Sequence, residues 1–334
     1  MLKKLLSVLM LAVTMLSLGS AFPFEASAAD NGLPALSPDC VLAMQGSDQL
    51  KEAIAGSKGL VDAAQPDATY TLDVESYVEI PIGSSHKIKY NVSPSGSTVT
   101  WKSSNTSIAT VNSSGLITAK KPFNTTITGT VGGSVSDTCE VFVEFIDVMD
   151  SEQFYFFPVY WAADVGVTSG YTDSSGKLTG KFGPNDKCTR GQIVTFLYRM
   201  LANQYYPSDA PTFKDVKKTD YFYDAVRFMA YRGVTTGYSG TNKFGPNDKC
   251  TRAQVVTFMY RLWKDTYPAD ANKLAAVKDF KDVKKGTYYY DAVRWAVAHG
   301  VTTGYSGTNK FGPDDVCTRA QVVTFLYRFV EDVT

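Results

Sequence analysis

Three arginines stand at equivalent places in the chain, in Thr189-Arg190-Gly191-Gln192, Thr251-Arg252-Ala253-Gln254 and Thr318-Arg319-Ala320-Gln321. Threonine with glutamine three residues on is a capping box, in which the hydroxyl accepts from the third helical amide and the glutamine reaches back to the threonine amide. The pattern therefore starts a helix at each arginine. A cation in the first helical position meets the positive end of the helix dipole, which disfavours it by a few tenths to about 1 kcal/mol. An anion to be held would account for that placement three times over, because exposed amides, dipole and forked guanidinium together accept a carboxylate or phosphate. The alternative is an internal ion pair with Asp147, Asp215 or Asp282, each the acid of a neighbouring F-x-D-V.

Other chemistry is thinly represented. Of the two histidines, His86 lies ahead of the repeats, and His299 is replaced by Val165 and Arg232 at the equivalent positions of the other two copies. A shared catalytic or zinc histidine is excluded, and no C-x-x-C, H-E-x-x-H, P-loop or dinucleotide fingerprint occurs. Asp173-Ser174-Ser175-Gly176 lacks the alternating acids and terminal glutamate of a calcium loop and reads as a turn. No metal or cofactor is expected.

The elements that must position the arginines come as repeats. KFGPNDKCTRGQIVTFLYR at 181–199 returns as KFGPNDKCTRAQVVTFMYR at 243–261 and KFGPDDVCTRAQVVTFLYR at 310–328. FKDV at 213–216 and 280–283, DAVRF at 224–228 and DAVRW at 291–295, and GVTTGY at 233–238 and 300–305 recur with a period of 67 residues. The first copy is looser: FIDV at 145–148, VYWAADVGVTSGY at 159–171, then a longer connection, TDSSGKLTG. Repetition of this kind builds a core by stacking copies, so function is sought on surfaces that the copies share. In the third copy Ala292, Val293, Ala296 and Val297 give a helix one apolar face, with Gly300 past its end and Val301 closing the cap. A second helix from Thr318 buries Val322, Val323, Leu326 and Phe329, so each unit reads as helix, irregular loop, helix.

Five cysteines (Cys40, Cys139, Cys188, Cys250, Cys317) make an odd count, and three occupy equivalent positions. Each of those three precedes a capping threonine, where a small apolar residue staples to the fourth helical residue, Ile193, Val255 or Val322. They read as buried hydrophobes rather than disulfide partners, since equivalent sites in a pseudo-symmetric array seldom meet in pairs.

Residues 1–28 read as a secretory signal, with Lys3 and Lys4, an apolar run from Leu5 to Leu18, and Ala26-Ser27-Ala28 for cleavage. No later stretch is long and apolar enough for a membrane span. The whole chain has a net charge of zero, and removing the signal leaves 31 basic and 32 acidic residues. That balance argues against nucleic acid as partner. Residues 29–68 read as a linker or low-order arm. Residues 69–144 alternate apolar and polar between turn residues (TYTLDV, KIKYNV, TVTWKS, SIATV, LITAK, TTITGTV, TCEVFVEF), the pattern of a small antiparallel β-sandwich. Through Trp101, Ser104-Asn105, Ala109-Thr110-Val111, Gly115 and Thr118-Ala119 this segment resembles the bacterial immunoglobulin-like domains of group 2. Trp101 and Cys139 are then expected in its core.

F-x-D-V, a helix ending in G-V-T-x-G-Y, F-x-P-N/D and T-R-A together resemble S-layer homology domains, over repeats at 145–205, 213–267 and 280–334. The resemblance implies a mainly α pseudo-trimer of helix-loop-helix units with grooves between them, following the small all-β sandwich. It also implies non-covalent attachment of an exported protein to pyruvylated secondary cell-wall polysaccharide, with Arg190, Arg252 and Arg319 at the position that contacts the acidic ketal. Glutamine replaces the motif's glutamate at 192, 254 and 321. Around the arginines, Trp161 and Trp295 are expected to stack against sugar faces, whereas Phe228 is expected to be buried. Tyr171, Tyr238 and Tyr305 divide between groove lining and loop packing, and Gly170, Gly237 and Gly304 between positive φ and close ligand approach. A self-assembling surface-array subunit is the second reading. A wall-polymer enzyme is the third, although only about forty residues remain outside the signal, sandwich and repeats.

Overall fold

The computed structural model describes residues 69–201, 205–267, 277 and 279–333. The expected signal and the arm at 29–68 lie outside the described residues. Two compact bodies are formed: the β region together with residues up to Asp164 and the segment Ser169–Gly183, and the chain from Pro184 onward together with Val165–Thr168.

The first body holds strands β1 (Thr71–Val74), β2 (Tyr77–Pro81), β3 (Ser85–Lys87), β4 (Tyr90–Ser93), β5 (Thr100–Ser103), β6 (Ala109–Val111), β7 (Leu116–Ala119), β8 (Phe123–Val131) and β9 (Val135–Glu144). They pair as β1-β4, as β2-β9-β8-β5 and as β3-β7-β6. β8 and β9 form a long hairpin from Phe123↔Val143 to Val131↔Val135, turned through Gly132 and Gly133, whose positive φ suits a tight hairpin. One departure from the sequence expectation is that β2 runs parallel to β9, so the sheet is mixed. β2 and β3 were absent from the alternation read in the sequence; β3 has three residues, and β2 is an edge strand that ends at a proline. Cys139 is fully buried opposite Ile127, as expected. Trp101 is half-buried: it lies over Gly129 and Gly115, with the Tyr90 ring edge-on at 5.1 Å, and forms a lid at the margin of the core.

Helix α1 (Phe156–Asp164) packs Phe156 and Tyr160 on Phe142 of β9, at ring separations of 6.3 and 4.7 Å. The Tyr160 hydroxyl donates to the Val148 carbonyl and accepts from the Phe145 amide, fixing the chain as it leaves the sheet.

In the second body lie α2 (Arg190–Met200), α3 (Tyr223–Tyr231), α4 (Arg252–Thr266), α5 (Tyr290–Ala298) and α6 (Arg319–Val333). α2 packs on α3 and α4 on α5. The stripe Val322, Val323, Leu326 and Phe329 is buried as expected. On α5 the buried face is Ala292, Val293, Trp295 and Ala296, with Val297 half-exposed, because the large indole takes the inward position. Gly233 and Gly300 follow α3 and α5 in the left-handed conformation, which ends each helix without a Cβ clash.

A closed hydrogen-bond circuit ties the copies together. The Cys188 amide donates to the Cys317 carbonyl, Cys317 to Cys250, and Cys250 to Cys188, at 2.9, 3.0 and 2.9 Å. The three equivalent cysteines therefore do meet at the backbone, contrary to the premise drawn from symmetry. They are nevertheless free and buried, and desolvation pushes the Cys188 and Cys317 thiols up to about 12.

Candidate functional site

All three capping boxes are formed: Thr189, Thr251 and Thr318 accept from the amides of Gln192, Gln254 and Gln321, and each glutamine Oε1 accepts from its threonine's amide. The next two amides are also taken. Those of Arg190 and Gly191 donate to the carbonyls of Asp248 and Pro246. Arg252 and Ala253 reach Asp315 and Pro313, and Arg319 and Ala320 reach Asp186 and Pro184. The helix starts are thus joints between repeats, and the exposed amides expected of an anion cradle are already occupied by protein carbonyls.

The arginines are not displayed on the surface either. Arg190, Arg252 and Arg319 are 4, 4 and 3 % exposed. Arg190 Nε donates to the Phe244 carbonyl at 2.9 Å, and its guanidinium lies 4.6, 4.8 and 5.2 Å from the ring centres of Tyr238, Phe244 and Phe258, all from the second repeat. Arg252 repeats the arrangement on the third repeat, with Nε on the Phe311 carbonyl at 2.8 Å and Tyr305, Phe311 and Phe325 at 4.6, 4.9 and 5.3 Å. Arg319 lies 5.4 Å from the Phe196 ring. Aromatic faces attract the cation and so offset its unfavourable place at the helix start. Among the described residues no carboxylate pairs with Arg190 or Arg252, and their Nη atoms have no protein hydrogen-bond partner. A mostly buried cation with no counter-charge is the unusual feature of this molecule, since buried charges are normally paired.

Among the described residues, the internal ion pair considered for the arginines does not form at Arg190 or Arg252. Asp147, Asp215 and Asp282 instead clamp their own repeats: each carboxylate accepts from two successive amides, Phe182 and Gly183, Phe244 and Gly245, or Phe311 and Gly312, at 2.8–2.9 Å. At Asp282 desolvation would raise the pKa, but these amide bonds outweigh it and leave the group below the ordinary carboxylate range. At Asp215 and Asp282 the clamp shapes the K-F-G-P loop whose phenylalanine, Phe244 or Phe311, receives Arg190 or Arg252 on its carbonyl and ring.

Tyr238 and Tyr305 are half-buried and line the arginine cage, their hydroxyls donating to Asp248 Oδ2 and Asp315 Oδ2 at 2.9 and 2.7 Å. Desolvation and that carboxylate raise both phenols' pKa, while the caged arginine pulls it down. Tyr171 is half-buried, with its amide on the Lys181 carbonyl. Gly170, Gly237 and Gly304 have φ of +85, +73 and +78°, and a Cβ on each would strike the carbonyl of Lys181, Lys243 or Lys310 and a ring of Phe145, Phe213 or Phe280. These glycines serve chain packing, so the ligand-approach alternative is set aside.

Two expected residues are displaced from the site. Trp295 is fully buried among Tyr260, Trp263, His299 and Phe329, and Trp161 is 5 % exposed, so neither presents a face to a sugar. Both sit on the inward face of a first helix, where indole area is most stabilising. Phe228 is buried, as expected. Sequence reasoning missed Tyr221 and Tyr288, which are 62 and 60 % exposed. Their equivalent positions, five residues after Val216 and Val283, were the available signal. The Asp173 segment is a turn: Oδ1 accepts from the amides of Ser175 and Lys177 and from the Ser175 hydroxyl.

Residues 147–194, 212–256 and 279–323 match the S-layer homology domain, and residues 68–141 match the bacterial Ig-like domain (group 2). The chain is a triple S-layer homology domain protein. It is 27 % identical over 172 residues to the surface-layer 125 kDa protein of Lysinibacillus sphaericus, covering 51 % of this chain and 13 % of that one. It is 26 % identical over 162 residues to the cellulosome-anchoring protein of Acetivibrio thermocellus, covering 46 and 34 %. An exoglucanase, XynX, of the same species is 23 % identical over 208 residues, covering 60 and 17 %. The chain therefore spans about a third or less of the length of these relatives. Among the described residues no helix is long and apolar enough to cross a membrane.

Proposed function

We propose that this S-layer homology protein is exported and held non-covalently to the bacterial cell wall by its three repeats, which bind an acidic secondary wall polysaccharide, with pyruvate ketals as the acidic groups. In this reading the helix-loop-helix units form a pseudo-trimer whose grooves lie where one repeat meets the next. The Ig-like domain acts as a spacer or adhesive module, residues 1–28 direct export, and the chain has no catalytic role of its own. The observation that carries the reading is the pair of guanidinium groups of Arg190 and Arg252. Each is gripped by the next repeat through Nε and ring faces, and each keeps Nη donors without protein partners. A carboxylate bound there would supply the missing counter-charge with two parallel hydrogen bonds. Residues 145–334 carry 24 basic and 20 acidic side chains, a balance that favours an acidic polymer. The cellulosome-anchoring relative supports attachment as the role of this portion.

The test is co-sedimentation of the mature protein with purified wall sacculi before and after chemical removal of the secondary polysaccharide. Retention is expected only before stripping. Equal retention on stripped sacculi would defeat the proposal.

A further inference from the structure

The three cysteines that precede the capping threonines are a cluster of nucleophilic side chains that the arginine cages leave unused. Isolated antiparallel bridges join Thr189 to Lys249, Thr251 to Val316 and Lys187 to Thr318. One residue along each bridge, the register sets Cys188 opposite Cys250, Cys250 opposite Cys317 and Cys317 opposite Cys188. The amide-to-carbonyl bonds that link the cysteines, at 2.9–3.0 Å, occupy those same positions. Residues directly opposite across a hydrogen-bonded antiparallel pair have Cα atoms about 5.5 Å apart and side chains on one face. That separation falls inside the span of roughly 4.4–6.8 Å that a disulfide bridges. Each of the three residues thus has two partners in reach.

All three side chains are fully buried, and all three are free thiols. Desolvation raises the Cys250 thiol well above its ordinary range, and Cys188 and Cys317 beside it raise it further. Thiols held protonated and away from water are unreactive, so any pairing takes place while the repeats come together and the sulfurs still meet solvent. Among the described residues no group of histidine, cysteine or acidic side chains is arranged to hold a metal ion, and the geometry favours sulfur–sulfur chemistry. Three thiols form one disulfide and no more.

We infer that Cys188, Cys250 and Cys317 form a cross-linking site, in which any two close a disulfide across a joint between repeats and the third remains a thiol. The oxidant is a small-molecule disulfide. The thiolate of one ring cysteine attacks a sulfur of that disulfide, which releases one small thiol and leaves a mixed disulfide on the protein. A second ring thiolate then attacks the protein sulfur of the mixed disulfide, forming the bond between cysteines and releasing the second small thiol. The two protons given up by the cysteines end on the two small thiols. Such a bond ties repeats that are distant in sequence, and so restrains the unfolded chain over the length of a whole repeat or more. The inference goes beyond wall attachment and does not depend on the glycan.

The test starts from the mature protein carrying Cys40→Ser, unfolded and reduced in guanidinium, then diluted into buffer with oxidised glutathione, while a second sample meets the oxidant in guanidinium. Chymotryptic peptides around the three cysteines differ in sequence, so mass spectrometry tells the pairings apart. Refolding is expected to give disulfides among Cys188, Cys250 and Cys317 alone. Thiols that alkylate in guanidinium should fall from four per chain to two, Cys139 and the third ring cysteine. The sample oxidised while unfolded should pair Cys139 with ring cysteines as well. Cys250→Ala, which keeps a small apolar side chain in the ring, should still form the bond between Cys188 and Cys317, and Cys188→Ala/Cys250→Ala should form none within the folded chain. Four free thiols after refolding overturn the inference. Disulfides that include Cys139 as often as in the unfolded sample overturn it too, as does a folded Cys250→Ala chain without the remaining bond.

Discussion

Replacing Arg252 by methionine separates the two tasks that the structure gives this residue, joining repeats and presenting a charge. Methionine keeps an unbranched apolar chain in the cage of Tyr305, Phe311 and Phe325, so little cavity is opened. What is lost is the 2.8 Å bond from Nε to the Phe311 carbonyl, a hydrogen bond from a charged donor worth roughly 1.5–3 kcal/mol, and cation–π attraction of about 0.5–2 kcal/mol. What is relieved is a cation at a helix start, about 0.3–1 kcal/mol, together with the desolvation of a guanidinium that has no counter-charge. The balance is a net destabilisation of about 1–3 kcal/mol, a fall in Tm of roughly 2–4 °C for each kcal/mol in a body of this size. Thermal unfolding followed by far-ultraviolet circular dichroism measures that loss. Binding should respond more strongly, since a charge-assisted pair with the ligand disappears. With Arg190→Met added, affinity for released polysaccharide should drop by at least tenfold, about 1.4 kcal/mol, at temperatures where both proteins are folded. A folded double variant that binds like the unmodified protein would refute the reasoning. So would a variant more stable by several kcal/mol, because the cage would then contribute nothing to cohesion.

Gly237→Ala places a methyl 2.5 Å from the Lys243 carbonyl and 2.6 Å from the Phe213 ring at φ +73°, whereas Gly240→Ala at φ +70° meets nothing within 4 Å. Denaturant titration should show a loss of roughly 1 kcal/mol for Gly240→Ala and at least 2 kcal/mol more for Gly237→Ala. Glu144 is buried beside Glu79, and desolvation first, then that neighbour, raises its pKa from 4.5 to about 7. An acid whose folded pKa is raised contributes stability that is present below 4.5 and lost as pH rises through about 7. Glu144→Gln should therefore gain roughly 2–3 kcal/mol relative to the native chain at pH 8 and almost nothing at pH 4, read from denaturation midpoints across that range. Cys139, Cys188, Cys250 and Cys317 should resist alkylation at pH 8 in the folded protein and all react in concentrated guanidinium, as peptide mass spectrometry would record; rapid labelling of any of them while folded would contradict their burial.

The elements were legible in the sequence where local chemistry decides them. Thr251 and Gln254 specify a helix start by themselves, and Val322, Val323, Leu326 and Phe329 mark an inward stripe by spacing alone. Contacts between copies were not legible. Nothing in T-R-A-Q says that the Arg252 amide will meet the Asp315 carbonyl, or that its guanidinium will lie over Tyr305, because both partners come from the next repeat and only the closed backbone circuit brings them near. Trp295 failed as a surface residue for a related reason. Its distance from Gly300 could be counted, but which face α5 turns inward depends on packing with α4. Asp215 was read from the sequence as a candidate ion-pair partner, and its pair of amides was not legible because only the path of the K-F-G-P loop brings them to the carboxylate.

That circuit also constrains how the protein can work. Each second helix begins by donating two amides to the loop of another repeat, and the last repeat donates to the first through Arg319 to Asp186 and Ala320 to Pro184. No repeat can satisfy its own helix start, so removing one copy leaves four partners of those amide bonds, two donors and two acceptors, to be re-satisfied by water at a joint that is otherwise buried. A chain of this design is therefore expected to gain both its fold and its arginine cages only with all three copies present. Deleting residues 268–334 should abolish cooperative unfolding of the remaining repeats along with wall attachment, and a cooperative two-repeat fragment would show that the circuit is incidental to the fold.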